Sequence, residues 1–233
     1  MLKLKLALAT SLFALSAPGH AVEVIWADWE TATSTTVTGT LATSTPISID
    51  FSSPSGFGFV QTGTGTNYWT EPNPSSRPYT GGVVENAPPA AELIALNLSG
   101  PKTITFGEAI SGLYLAIISW NGNAAQFDQP FQVISSGQGY WGSGTITLGD
   151  DNSFVGTGEP HGIIYFPGTF SSLTFTDTSS EYWHGLTIGV ARLASDPDPD
   201  AVPEPATWAM MMAGFGLAGA ALRARARSRV SFA

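Results

Sequence analysis

No cysteine occurs in the 233 residues. A domain exported to an oxidising compartment often leans on disulfides. This one has to stand on packing alone, and thiolate metal sites and Cys–His catalysis are excluded. Positive charge is almost as scarce. Of nine Lys and Arg, Lys3 and Lys5 stand at the start and Arg223, Arg225, Arg227 and Arg229 near the end. Only Arg77, Lys102 and Arg192 lie between, whereas all eighteen carboxylates fall from Glu23 to Glu204. Residues 22–205 therefore carry three positive against eighteen negative side chains, a net charge of −15. Lys and Arg on phosphates supply most nucleic-acid affinity. A nucleic-acid partner is excluded on that ground, and an anionic lipid surface is disfavoured for the same reason. The body also lacks methionine, since all but Met1 sit at 210–212. Helix signals are nearly absent from it.

What is present is most specific at the two ends. Residues 1–21 begin with Lys3 and Lys5, continue through an apolar stretch over 6–17, and close on Pro18-Gly19-His20-Ala21. A basic start, an apolar centre and small residues at the exit describe a secretory signal peptide, with cleavage expected after Ala21. At the other end stand Val202, Pro203, Glu204 and Pro205, then an uncharged apolar run over 206–222, then the four arginines within 223–233. A bilayer core needs roughly 17–25 apolar residues as helix, so 206–222 reads as a transmembrane helix. The arginines hold its end in the cytoplasm and place everything before Pro203 on the far side. Asp196-Pro197-Asp198-Pro199-Asp200 begins an extended linker over 195–205.

The order Val-Pro-Glu-Pro-Ala-Thr-Trp-Ala-Met-Met-Met-Ala-Gly-Phe-Gly, followed by the Arg cluster, resembles the PEP-CTERM sorting signal of Gram-negative bacteria. That resemblance implies recognition by an exosortase-type membrane protease, processing near Pro203-Glu204-Pro205, and release from an inner-membrane intermediate to the cell surface or extracellular matrix. It also implies an association with exopolysaccharide and biofilm. Ser231-Phe232-Ala233 trails past the usual arginine end.

Residues 22–194 form the ectodomain. Short runs alternate apolar with polar, as in Ile47-Ser48-Ile49-Asp50-Phe51, Thr103-Ile104-Thr105-Phe106 and Leu173-Thr174-Phe175-Thr176. Period two means half-buried strands. Further strands are expected at 23–28, 35–41, 58–62, 93–98, 112–120, 131–135, 145–148, 162–166 and 186–193. Asn121-Gly122-Asn123, Gly149-Asp150-Asp151-Asn152 and Pro167-Gly168 read as the turns between them. About a dozen such strands predict an all-β fold, an antiparallel β-sandwich of jelly-roll type. The continuously apolar stretches 112–120 and 186–190 are expected in its centre, covered on both faces. Residues 67–89 contain five prolines, which rules out a central strand and predicts a long loop bearing Tyr68, Trp69 and Tyr79. Three segments also resemble a Trp-rich ectodomain common among proteins sorted in this way. They are 24–40 with Trp26-Ala27-Asp28-Trp29, 130–145 with Tyr140-Trp141-Gly142, and 159–190 with Glu181-Tyr182-Trp183-His184. That resemblance implies a β-sandwich and no activity.

Three constellations are candidates for chemistry. Tyr68 and Trp69 on the loop, with Tyr140 and Trp141 in a Gly-rich turn, suit an aromatic platform for sugar rings; the competing reading makes them core residues. Trp26, Trp120 and Trp183 read as core. Asp150, Asp151 and Asn152 offer oxygens for calcium, as do Asp28, Glu30 and Asp50, although Asp and Asn are also ordinary turn formers. Glu159 with His161, and Glu181 with His184, could serve acid–base work, but nothing local brings them into one cleft. No Gly-x-Ser-x-Gly elbow or His-Glu-x-x-His zinc motif occurs, and both histidines read as structural. The sequence thus points to an exported, acidic, non-enzymatic β-sandwich protein associated with exopolysaccharide, with no cofactor unless calcium is bound. A calcium-assisted carbohydrate-binding module and a glycan-active enzyme are the alternatives.

Overall fold

A computed structural model describes residues 21–192. The expected signal peptide up to His20, the linker, the Pro-Glu-Pro motif, the apolar run and the arginine tail lie outside the described residues. Within them there is no helix, and so none long and apolar enough to cross a membrane.

Two long strands organise the chain. They are β7 (Gly100–Ile118) and β12 (His161–Asp177), paired antiparallel along almost their whole length. Sequence alternation suggested two separate strands in each region. Each is one strand, bent where the pairing register shifts between Phe166 and Thr169 and again between Phe170 and Ser172. Gly112, at φ 72°, and Gly168, at φ 110°, supply the positive dihedrals of that bend. A Cβ on Gly112 would lie 2.9 Å from the Tyr165 hydroxyl. Pro167-Gly168, read as a turn between strands, is therefore a bulge inside one.

On one side of the bend, the C-terminal half of β7 pairs with β13 (His184–Ala191), which pairs with β6 (Glu92–Leu96), which pairs with β5 (Phe59–Thr62). β1 (Val24–Trp26) joins the far half of β13, and β9 (Gln132–Gly137) joins β12. On the other side, β7 pairs with β4 (Ile47–Ser52), then β3 (Thr36–Leu41), then β2 (Asp28–Ala32). There β12 pairs with β8 (Ala124–Phe127), then β11 (Ser153–Gly158), then β10 (Gly144–Leu148). All thirteen strands belong to one antiparallel sheet folded over on itself. β2, β8 and β11 were missed: β2 turns only Trp29 inward, β8 is short and follows a turn signal, and β11 carries only Phe154 and Val155 as large apolar residues.

The fold closes around two apolar clusters. Leu113, Leu115, Ile117, Phe166 and Ile188 from one half meet Phe51, Ile104, Phe127, Phe154 and Phe175 from the other. The opposite face of the first half presents Tyr114, Ala116, Ile118 and Ile163, which Trp69, Tyr79 and Val84 of the Pro-rich loop cover. The C-terminal part of β7, the N-terminal part of β12 and nearly all of β13 are thus buried on both faces, as the unbroken apolar runs within 112–120 and 186–190 anticipate for β7 and β13. The loop is held by carboxylates as well as by apolar contact. Glu71 accepts from the Tyr79 and Thr80 amides at 2.7 and 2.8 Å. Buried Glu92 accepts from the Trp29 and Gly63 amides, both at 2.7 Å, which ties edge strand β2 to the β5–β6 hairpin. Asn86 pairs with β1 like an extra strand residue, through its amide to Val24 N (2.7 Å) and Val24 O (2.8 Å).

Candidate functional site

The antiparallel register brings four connections to one end of the sheet. Ser119, Trp120 and Asn121 follow β7; Tyr140 and Trp141 lie between β9 and β10; Glu159 precedes β12; and Glu181, Tyr182 and Trp183 precede β13. A cleft of ≈230 Å³ opens among Ser119, Asn121, Trp141, Glu159, Glu181 and Trp183, with Tyr182 at its rim. Two carboxylates distant in sequence thus share one site that local reading could not assemble.

Each acidic group is held differently. Ser119 has φ 56°, a left-handed conformation unusual for a non-glycine residue, and its carbonyl accepts from the Asn121 amide at 2.8 Å. This tight turn aims the Ser119 hydroxyl at Glu159 Oε2, to which it donates. Asn121 Nδ2 donates to Glu159 Oε1 at 2.8 Å. Glu159 is therefore addressed by neutral donors only. Glu181 instead faces His184 Nδ1 at 2.6 Å, and His184 Nε2 lies 3.4 Å from Asp177 Oδ2. Behind Asp177 stands Lys102 at 3.5 Å, both side chains fully buried. Lys102 Nζ also donates to Ser55 Oγ, Leu98 O and Gly100 O at 3.2, 3.0 and 3.0 Å. Burial lowers the pKa of Lys102 against the pull of Asp177. For His184 burial also acts downward, but hydrogen bonds to Asp177 and Glu181 outweigh it and the pKa is raised. With His184 protonated, the chain Glu181–His184–Asp177–Lys102 alternates in sign and cancels its own charge. Trp120 roofs it, its ring 4.1 Å from that of His184.

The aromatic candidates divide. Tyr68, Tyr140 and Trp141 come together: Tyr68 lies near-parallel to Trp141 at 6.3 Å and 25°, and edge-on to Tyr140 at 5.1 Å. Trp141 is 50% exposed and Tyr140 42% exposed. Trp69 does not join them. It is 2% exposed, packs against Tyr79 at 5.2 Å and donates from Nε1 to Glu92 O at 3.2 Å. Its place on a Pro-rich loop suggested exposure, but that loop is the cover of a core. Trp26 and Trp120 are core, as read. Trp183, expected in the core, is only half-buried and lines the cleft. Tyr182, 93% exposed, was not singled out, nor were Ser119, Asn121, Lys102 and Asp177, which carry no local signal.

The two Glu–His pairs also part company. Glu181 and His184 meet, whereas His161 turns into the second apolar cluster, where its Nδ1 lies 3.2 Å from the Tyr79 hydroxyl. Asp150, Asp151 and Asn152 form the β10–β11 hairpin turn, with Asp151 and Asn152 at φ 55° and 57°, a conformation these residue types tolerate. Among the described residues no three His, Asp or Glu side chains gather as a metal site would require. A larger cavity, ≈360 Å³, lies at the opposite end beside Thr43, Thr45, Ile110 and Val190. Glu108 is its one ionisable group and it has no aromatic lining, so the chemistry is concentrated in the smaller cleft.

Comparison with known proteins adds the C-terminal address. Residues 201–226 match the PEP-CTERM protein-sorting motif. No curated protein and no solved structure matches the chain.

Proposed function

We propose, from the premise that the chain is a PEP-CTERM exosortase substrate exported as a surface protein, that its β-domain is a glycan-binding module which holds the protein to exopolysaccharide in the extracellular matrix. The observation that carries this is the cleft, which sets Trp141, Tyr182 and Trp183 beside Glu159 and Glu181. Aromatic faces take the apolar C–H surface of a sugar, and carboxylate oxygens accept from its hydroxyls with charge-assisted hydrogen bonds. Binding is favoured over hydrolysis because both cleft carboxylates are already engaged within the protein, Glu159 by Ser119 and Asn121 and Glu181 by His184.

Both apolar cores close within the described residues, so a fragment over 22–200 is a fair test object. It should bind the exopolysaccharide of the producing cells saturably, with a change in tryptophan fluorescence. Trp141→Ala, at an exposed ring, should weaken that binding about tenfold, the equivalent of about 1.4 kcal/mol, with an unchanged unfolding midpoint. Equal binding by the wild type and by a Trp141→Ala/Tyr182→Ala pair sinks the proposal. Processing has its own check: the mass of mature protein from the producing cells should place its C-terminus near Pro203-Glu204-Pro205, and an intact arginine tail would contradict release.

A further inference from the structure

We infer that the cleft selects a sugar bearing a free protonated amine, a partly deacetylated amino-glycan, over neutral N-acetylated or acidic glycans. The inference rests on the glycan-binding reading and narrows its ligand. Its basis is the charge left over in the site. The charges of Glu181, His184, Asp177 and Lys102 cancel along one chain of contacts of 2.6, 3.4 and 3.5 Å. Glu159 has no such counter-charge, since Ser119 and Asn121 are neutral. No Lys or Arg lines the cleft. Of the three basic residues described, Lys102 is buried beside Asp177, Arg192 pairs with Glu23 at 2.8 Å, and Arg77 lies on the loop between β5 and β6.

A ligand that covers this cleft removes water from the Glu159 carboxylate, and burying a charge is costly unless it is paired. The hydroxyls of a neutral sugar hydrogen-bond the carboxylate without neutralising it. A uronic acid or a sulfated sugar adds repulsion. An ammonium group supplies the missing charge, and the aromatic walls add cation–π attraction within about 6 Å of a ring face. Trp141 and Tyr182 are the exposed rings placed to give it. At ≈230 Å³ the cleft is smaller than the roughly 300–1,000 Å³ of a drug-sized pocket. One sugar unit enters, and the flanking units of the polymer lie along the rim.

The test compares four tetramers on the 22–200 fragment by calorimetry at mildly acidic pH: glucosamine, N-acetylglucosamine, galacturonic acid and lysine. The glucosamine tetramer should bind at least tenfold tighter than the N-acetylglucosamine tetramer, and the galacturonic acid tetramer should not bind. Glu159→Gln should weaken the glucosamine tetramer about tenfold more than the acetylated tetramer, so that the preference is lost, with an unchanged circular dichroism spectrum. Raising the pH until the amine loses its proton should erase the preference in the wild type, a readout that needs no variant. Equal or tighter binding of the acetylated tetramer overturns this inference but leaves the glycan module standing. Binding of neither amino-sugar tetramer overturns both. Tighter binding of the lysine tetramer overturns the inference in favour of a basic peptide ligand.

Discussion

His161 offers a direct test of the packing beneath the Pro-rich loop. Its side chain is fully buried; Nδ1 meets only the Tyr79 hydroxyl and Nε2 has no partner. The ring lies flat against the backbone at Gly139, where an added Cβ would come within 2.5 Å of it. Burial, with no compensating charge, lowers the pKa of His161 from 6.5 to about 4. Between those values the unfolded chain binds a proton that the folded chain does not. Stability from this group is therefore full above pH 6.5 and falls as the pH drops toward 4. At about 1.36 kcal/mol per unit, the loss is about 3 kcal/mol, a large share of the roughly 5–15 kcal/mol that holds a domain together. Urea unfolding followed by tryptophan fluorescence should show that loss. His161→Gln, which stays neutral at every pH, should start less stable at neutral pH but decline less steeply in acid. Carboxylates protonate in both proteins, so the difference between the two slopes isolates His161. Parallel slopes would refute the reasoning, as would a proton-resonance titration of His161 near 6.5.

Other outcomes follow from the same structure. His184 acts with the opposite sign: its raised pKa means stability present below pH 6.5 and lost as the pH rises through the folded-state value, so His184→Gln should flatten the alkaline side of the stability profile. Lys102→Met breaks a fully buried pair and leaves Asp177 with His184, which it shares with Glu181, as its remaining basic neighbour. A broken buried pair costs about 3–5 kcal/mol, and calorimetry should find Tm lowered by roughly 6–20 °C at about 2–4 °C per kcal/mol; a drop under about 2 °C would show that the pair contributes nothing. Gly112→Ala forces a side chain into a left-handed conformation against Tyr165, and its cost should exceed the roughly 1 kcal/mol of the backbone strain alone.

Legibility followed the range of the forces involved. Alternation in 47–51 and 145–148 reported strands within a residue of their bounds, because side-chain direction in a strand repeats every two residues whatever lies elsewhere. The unbroken apolar runs of β7 and β13 announced burial on both faces. Trp69 misled because proline density identifies a loop but does not say whether that loop faces water or roofs a core. The site was least legible. Glu181 and His184 were close in sequence and did meet, three residues apart. Glu159 found its partners through Ser119, forty residues away, and Asp177 met Lys102 only because β7 and β12 pair along their length.

The amino-acid sequence by itself determined the address, the charge and the class of fold. Export signals and sorting motifs are read as linear segments, net charge is a sum, and strand pattern is local. Tertiary structure alone decided that one sheet would fold over at Gly112 and Gly168, that Trp69 would be covered and Trp141 exposed, and that Glu159 would stand uncompensated beside a self-neutralised Glu181. Those outcomes depend on which distant strands pair and in which register, and each such pairing is settled by the packing of the whole core rather than by the residues that end up in the site.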